Sequence, residues 1–337
     1  MAGACALDDG GAAWCWGAGD HGRNGNGTTA DAAAPVRAGS GSYSALTVSE
    51  TTSCALNGTA LDCWGLNAGN GNTDGSRTPV KVDGQYATLA MDGQRTCALD
   101  TGGKAWCWSS ASGTITGTGG AGSSPDPAAV NGSRTYTKLV AGGGAFCGIT
   151  GSGDAWCFGA NHAGQLGDGT TTDADIPVKV TGGLRFDSLA LSAGTSCGLA
   201  SGTVWCWGEG SDGQLGDGGS AASTEPVRAA VSGSASSVTA GGSGWFCART
   251  TANIQCWGTN SSGQASPGSL TAARTPAPVP GLGAAQVHTS GSTACSLETS
   301  GALKCWGQLP GSPSAPAGMG RTEVAPGSFT GYVRSRQ

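Results

Sequence analysis

Charged side chains are scarce in this chain of 337 residues: they make up 12% of it, and the formal net charge is −5. No run of basic residues occurs, so the sequence offers neither a track for nucleic-acid phosphates nor a patch for an anionic membrane surface. It also lacks a signal peptide and an apolar run that could span a bilayer, and we expect a mature region. Neither a nucleic-acid partner nor direct insertion into a membrane is therefore expected.

Residues for catalysis are also few. The chain has only three histidines, and no two of them are close in sequence: His21, His162 and His288. The stretch Gly194–Gly198 matches G-x-S-x-G, but a nucleophile elbow needs a strand-to-helix turn with His and acid partners. No segment has a helical period; short apolar alternations between Gly, Pro and Asp predict strands instead. We expect no catalytic residue and no enzyme activity.

Cysteine, in contrast, is abundant and regularly placed. Fourteen cysteines form seven short-range pairs, whose first members lie 43 to 50 residues apart. Such a period predicts seven structural repeats in a single domain over residues 1–337. The pairs, whose first members mark the repeat starts, are Cys5 with Cys15, Cys54 with Cys63, Cys97 with Cys107, Cys147 with Cys157, Cys197 with Cys206, Cys247 with Cys256, and Cys295 with Cys305.

The spacing inside each pair predicts a disulfide across a β-hairpin. If Gly58 and Thr59 form a two-residue loop, Asn57 faces Ala60 and the two cysteines of that repeat lie opposite each other. Ten-residue spacings centre on a three-residue loop, such as the one around Gly102. Opposite residues of antiparallel strands lie about 4.5–5.5 Å apart at Cα, within disulfide reach.

Zinc is the alternative, but structural zinc sites use pairs two to four residues apart. Seven disulfides predict a secreted, periplasmic or cell-surface protein.

The fourth repeat shows the pattern most clearly. It reads Cys157-Phe158-Gly159-Ala160-Asn161, then Gln165–Gly169 as Gln-Leu-Gly-Asp-Gly, then Pro177-Val178. Cys-Trp-Gly recurs in most repeats, Gln-Leu-Gly-Asp-Gly returns at 214–218, and Pro-Val recurs at 35, 79, 177, 226 and 278. These motifs resemble the repeat of the regulator of chromosome condensation family over essentially the whole chain.

That resemblance implies an all-β fold, a seven-bladed β-propeller with four-stranded antiparallel blades. The segment 324–333 is similar to the one that precedes each Cys-Ala-Leu elsewhere. We therefore expect residues 322–337 to complete the first blade, so that the ring closes by pairing of the N- and C-terminal segments and leaves no long unpaired edge.

One loop position alternates between two residue types. It holds Asn67, Asn161 and Asn260 in three repeats, but Gly19 and Gly210 in two others. Asn and Gly are the residues that most readily adopt a positive φ. The alternation therefore predicts a left-handed turn after each Cys-Trp-Gly strand.

An aromatic ring follows the second cysteine of every repeat. A ligand platform is one interpretation, but packing between neighbouring blades is the simpler one. A second set of tryptophans, two residues earlier, is replaced by polar residues in other repeats and should lie nearer solvent. The first set is Trp16, Trp64, Trp108, Phe158, Trp207, Trp257 and Trp306; the second is Trp14, Trp106, Trp156 and Trp205.

Sites for a metal or a partner are less marked. Asp168, Asp173 and Asp175 could gather around calcium, although their spacing does not fit a calcium-binding loop, and a solvated acidic loop is the default interpretation. We expect no cofactor and no metal site. Function should lie where repeats differ, in the loops 109–124 and 307–321. The candidate recognition residues are His21, Arg23, His162, Gln165 and Trp245; surface drift without a ligand is the alternative.

Three functions are compatible with these observations. The first is a secreted or cell-surface module that recognises a protein or a glycan through loops on the propeller. The second is a secreted enzyme inhibitor, because some bacterial propellers with similar repeats block β-lactamases, although their repeats are shorter. The third is a structural bead of a surface fibre or a receptor ectodomain, as in plant receptor-like kinases.

Overall fold

A computed structural model describes residues 3–111, 115–119, 124–282, 286–297 and 303–308. Within these residues the chain forms 26 β-strands and one short 3-10 helix, Asp20–Gly22. The strands form seven antiparallel sheets, one for each cysteine pair. The fold is the all-β, seven-bladed propeller with four-stranded blades that the repeats predict; blades 1 and 7 have three described strands each.

The described chain divides into two compact units, and the first contains the residues up to Leu139 together with Asp175–Pro177. It holds three blades. Blade 1 contains β1 (Gly3–Leu7), β2 (Ala13–Gly17) and β3 (Ala32–Arg37); blade 2 contains β4 (Ala45–Val48), β5 (Thr52–Asn57), β6 (Ala60–Gly65) and β7 (Ser76–Val82); blade 3 contains β8 (Tyr86–Asp92), β9 (Arg95–Asp100), β10 (Ala105–Ser109) and β11 (Ala128–Ala129).

The second unit contains Val140–Ala174 and the described residues from Val178 onward. It holds four blades, and β12 spans the division. Blade 4 contains β12 (Tyr136–Gly142), β13 (Ala145–Thr150), β14 (Ala155–Gly159) and β15 (Ala174–Lys179); blade 5 contains β16 (Ser188–Ser192), β17 (Thr195–Ala200), β18 (Thr203–Gly208) and β19 (Ser223–Arg228); blade 6 contains β20 (Ala235–Gly241), β21 (Trp245–Thr250), β22 (Ile254–Gly258) and β23 (Ala273–Pro278); blade 7 contains β24 (Gln286–Ser290), β25 (Thr293–Leu297) and β26 (Leu303–Gly307).

Every predicted disulfide is present, and each one crosses its own hairpin. The paired Cα atoms are 4.0 to 4.1 Å apart, and no cysteine of the chain is free. The separation is slightly shorter than the 4.5–5.5 Å expected for opposite residues, and the predicted pairing is unchanged. The seven bonds join Cys5 to Cys15, Cys54 to Cys63, Cys97 to Cys107, Cys147 to Cys157, Cys197 to Cys206, Cys247 to Cys256, and Cys295 to Cys305.

The two kinds of hairpin loop are also those that the spacing predicts. In blade 2, Asn57 pairs with Ala60 as the two-residue loop requires, and Cys54 pairs with Cys63. In blade 3 the loop is centred on Gly102, because Leu99 pairs with Ala105 and the N–H of Asp100 donates to the carbonyl of Lys104 across it. The register that follows places Cys97 opposite Cys107.

The hydrophobic core lies between successive blades and is built on these disulfides. In the second unit, Cys197 and Cys206 of blade 5 pack in one cluster with Trp257 of blade 6. The same combination, the disulfide of one blade with the ring of the next, forms the other clusters. Burying one such ring removes about 150–250 Å² from water, which corresponds to at most about 4–6 kcal/mol.

The predicted division between core and half-exposed rings is largely confirmed. In the first set, Trp16 differs, because it is only half-buried. All four tryptophans of the second set are half-buried. The rings that are buried are Trp64, Trp108, Phe158, Trp207, Trp257 and Trp306.

A proline recurs at one position of six blades: it lies in the last strand of the sheet in blades 1, 2, 4, 5 and 6, and directly before the last strand in blade 3. It precedes the residue that pairs with the second cysteine, as Pro226 precedes Val227, the partner of Cys206. In blade 6 this proline is Pro276, because Ala277 pairs with Cys256; the Pro-Val motif at 278 is therefore two residues out of register. The six prolines are Pro35, Pro79, Pro127, Pro177, Pro226 and Pro276.

Three predictions about the whole chain stay untested. Completion of the first blade by residues 322–337 lies outside the described residues, and so does the loop 307–321 beyond residue 308. The assignment of residues 1–337 to one domain also stays a prediction. Among the residues described, no helix is long and apolar enough to cross a membrane.

Candidate functional site

In blades 1, 2, 4, 5 and 6, the loop after the strand with the second cysteine accepts a hydrogen bond from the next blade. The indole Nε1 of Trp207 donates to the carbonyl of Gln165 at 2.8 Å, and that of Trp257 donates to the carbonyl of Gln214 at 2.9 Å. Two residues further on, Gly167 has φ +70°, and a Cβ there would lie 2.7 Å from the Trp207 nitrogen. The Gln-x-Gly motif thus supplies an acceptor and the room for a buried indole.

Two of the candidate recognition residues have structural roles in these loops. Arg23 occupies the position of Gln165 in blade 1, and its carbonyl accepts the Trp64 indole at 2.9 Å. Its guanidinium donates to the Ala18 carbonyl and to Asp20, and the side chain is only 11% exposed. Gln165 is 1% exposed, and its Oε1 accepts the N–H of Ala163. Neither side chain is therefore displayed for a partner.

The two histidines among the candidates are exposed. His21 lies in the short helix of blade 1 with φ +59°, an uncommon conformation for a residue with a side chain. His162 lies in the loop after β14, beside Glu209 of blade 5. Hydrogen bonds from Ser211 lower the pKa of Glu209, and the nearby His162 acts in the same direction. A recognition role for either histidine stays a prediction.

Trp245 is not a surface residue, and the expectation that it anchors a partner from the surface is wrong. Its side chain is fully buried, in one cluster with Cys247 and Trp306. The indole lies against Gly241, where a Cβ would be 2.0 Å from Nε1, and Nε1 donates to the carbonyl of Gly291 at 2.8 Å. Gly241 on the neighbouring strand makes room for a ring at a position where blades 4 and 5 have the smaller Ala145 and Thr195.

The alternating Asn or Gly position also has a different cause from the expected left-handed turn. None of the asparagines has a positive φ. The buried Asn161 instead ties its loop together: Nδ2 donates to the Thr172 carbonyl, and Oδ1 accepts the N–H of Leu166. Where Gly19 stands, the carbonyl of Ala30 lies 1.9 Å from the place a Cβ would take. In blade 1 the loop backbone therefore occupies the space that an asparagine side chain at this position would fill.

The aspartates considered for calcium hold the same loop by hydrogen bonds. Asp168 accepts from Nδ2 of Asn161 at 3.2 Å and from the N–H of Thr170, and Asp173 accepts from the N–H of Asn161 at 2.7 Å. In the part of the chain that the structure describes, no group of three or more His, Cys, Asp or Glu side chains could hold a metal ion.

A groove lies at the junction of blades 2 and 3 in the first unit. Its volume is about 770 Å³, within the roughly 300–1,000 Å³ that ligand clefts usually have. We call it the blade 2–3 groove. It is lined by Gly69, Asn70, Lys81, Asp83, Gly84, Gln85, Tyr86, Asp100, Thr101, Gly102, Trp106, Asp126 and Pro127.

Negative charge dominates the side chains of this groove. Asp100 accepts hydrogen bonds from the N–H groups of Gly102 and Lys104 and from Nε1 of Trp106, all at 2.9 to 3.0 Å. Partial burial alone would raise the pKa of Asp100, but these hydrogen bonds bring it below its ordinary value. Burial, and then the charges of Asp100 and Asp83, raise the pKa of the Tyr86 phenol to about 12.

The sequence pointed to the vicinity of this groove but not to its residues. The loop 109–124 was expected to carry function because it has lost the common register, and Asp126 and Pro127 follow it directly. The half-exposed position of Trp106 was also predicted. Sequence spacing does not predict that Gly69 and Asn70 line the same groove, because they lie about 30 to 60 residues away along the chain.

Comparison with known sequences supports the repeat assignment. Residues 152–200 and 201–248 match the sequence model of the regulator of chromosome condensation (RCC1) repeat. No curated protein sequence matches the chain.

Several solved structures are similar to this chain. Human WBSCR16 is 16% identical, with 88% of each chain covered and a TM-score of 0.74. Prp20p from Saccharomyces cerevisiae is 19% identical, with 82% of this chain and 75% of that one covered and a TM-score of 0.69. The entire ectodomain of the receptor kinase CR4 from Physcomitrella patens is 17% identical, with 90% and 70% covered and a TM-score of 0.56. At these identities the similarity establishes the fold.

Proposed function

We propose that this protein, a seven-bladed propeller that carries RCC1 repeats, is a secreted or cell-surface binding module. It recognises a protein or a glycan through side chains that the contacts between blades leave exposed. The proposal excludes catalysis as the main activity, and it places the chain in an oxidising compartment.

The observation that carries the proposal is the state of the cysteines. All fourteen are paired across hairpins, and all except Cys5 and Cys305 are buried. The disulfides of blades 1, 2, 4, 5 and 6 are also part of the hydrophobic surface on which the next blade packs. Disulfides in this number form and persist outside the cytosol.

Binding is supported by the uses of similar propellers. Prp20p has binding properties toward Gsp1p and histones, and the CR4 propeller is part of a receptor ectodomain. In this chain the recurring loop residues are engaged in structure, whereas the blade 2–3 groove is open and lined by charged side chains. A groove with an aromatic wall and a few polar groups is the usual form of a binding site.

The compartment can be tested on protein isolated from its natural host with thiols alkylated during lysis. Non-reducing peptide mapping should give seven disulfides, each within its own hairpin, and no alkylated cysteine. Alkylation at several pairs would contradict the assignment to an oxidising compartment.

Binding can be tested with the biotinylated chain and a cross-linker on intact cells and on the secreted fraction of the same host. The native protein should capture a partner. The same protein, reduced and alkylated beforehand, should not capture it. Equal capture by both forms would mean that the folded surface is not what the partner recognises.

A further inference from the structure

We draw no further inference here: the strongest candidate, the cluster of three aspartates in the blade 2–3 groove, carries none, because Lys81 and Lys104 nearly balance its charge and nothing in the described part of the chain shows what the groove would bind.

Discussion

The acceptor of the inter-blade hydrogen bond is a main-chain carbonyl, so the side chain at that position can vary. The position holds Arg23 in blade 1 and Gln264 in blade 6, and the carbonyl of each accepts the indole N–H of the following blade. In blade 2 the carbonyl of Asn67, four residues earlier in the repeat, accepts the indole N–H instead. Two residues after the acceptor, blades 1, 2, 4 and 5 have a glycine, and a Cβ at that glycine would lie 2.6 to 2.8 Å from the indole nitrogen, whereas blade 6 has Ser266. At the residue scale, the repeat motif therefore reflects how a tryptophan of the next blade is accommodated, and not how a ligand is recognised.

Trp245 and Trp207 should be equally important for stability. Both rings are fully buried, so replacing either with alanine should lower the free energy of unfolding by about 3–5 kcal/mol. Urea denaturation measures the effect. The control is Ile176→Ala, at a side chain that is 48% exposed, which should change stability by less than about 0.5 kcal/mol. A loss below about 1 kcal/mol for Trp245→Ala would show that this ring is not part of the core.

The phenol of Tyr86 should make stability fall at alkaline pH. Its hydroxyl donates to the Asp83 carbonyl at 2.7 Å, and its pKa is raised to about 12 in the folded protein, against about 10 in an unfolded chain. The folded state holds the phenol proton more tightly than the unfolded chain does. The stabilisation that results is complete below about pH 10 and is lost as the pH rises toward about 12.

The matched variant for this effect is Tyr86→Phe. Between about pH 10 and pH 12 the free energy of unfolding should fall by about 1–2 kcal/mol more in the wild type than in the variant. Urea denaturation at a series of pH values measures the difference, and the other tyrosines titrate in both proteins. If the free energy of unfolding changes with pH in the same way in both proteins, the pKa of Tyr86 is not raised in the folded state.

At the scale of the single strand, we expect the recurring proline to protect the edge of the sheet in blades 1, 2, 4, 5 and 6. The cysteines of a hairpin are a closely spaced pair, 4.0 Å apart at Cα in blade 5, so their backbone groups point away from each other. Cys206 therefore bonds to Val227, and the neighbouring Pro226 has its nitrogen on the outer side. A proline there removes the N–H group that a further strand would need.

Replacement of this proline should promote association through the edge. Pro226→Val supplies an outward N–H in β19, and we expect a dimer population that grows with concentration in sedimentation velocity. The control is Val227→Thr, whose backbone groups face Cys206, and it should remain as monomeric as the wild type. The same monomer content in the Pro226 and Val227 variants would show that the proline does not guard the edge.

The strands were predictable because their determinants are local. A nine- or ten-residue interval fixes which cysteines face each other, and the loops Asn57–Ala60 and Asp100–Lys104 follow from it. The environment of Trp245 was not predictable in this way, since the space for its ring is made by Gly241 on a neighbouring strand and by Gly291 of the next blade. The groove residues likewise meet only through packing between two blades.

At the scale of the whole molecule, closure by residues 322–337 stays a prediction that can be measured directly. Deletion of this segment should remove the expected last partner of blade 1 and lower stability by several kcal/mol, because a strand buries apolar area and completes a ladder. Thermal unfolding and light scattering are the measurements. A truncated protein that stays monomeric with unchanged unfolding would show that the chain does not close on itself through this segment.

The hairpin disulfides have a consequence for how the chain is made. Each cysteine has its partner nine or ten residues away, whereas the nearest cysteine of another pair is 34 to 41 residues away, or 49 for Cys5 and Cys305. Two doublings of loop length disfavour closure by about 1.2 kcal/mol, so the native partner is preferred about eightfold even in an unfolded chain. Oxidation can therefore proceed one hairpin at a time as the chain is synthesised. Incorrect pairing among the fourteen thiols is disfavoured to the same extent.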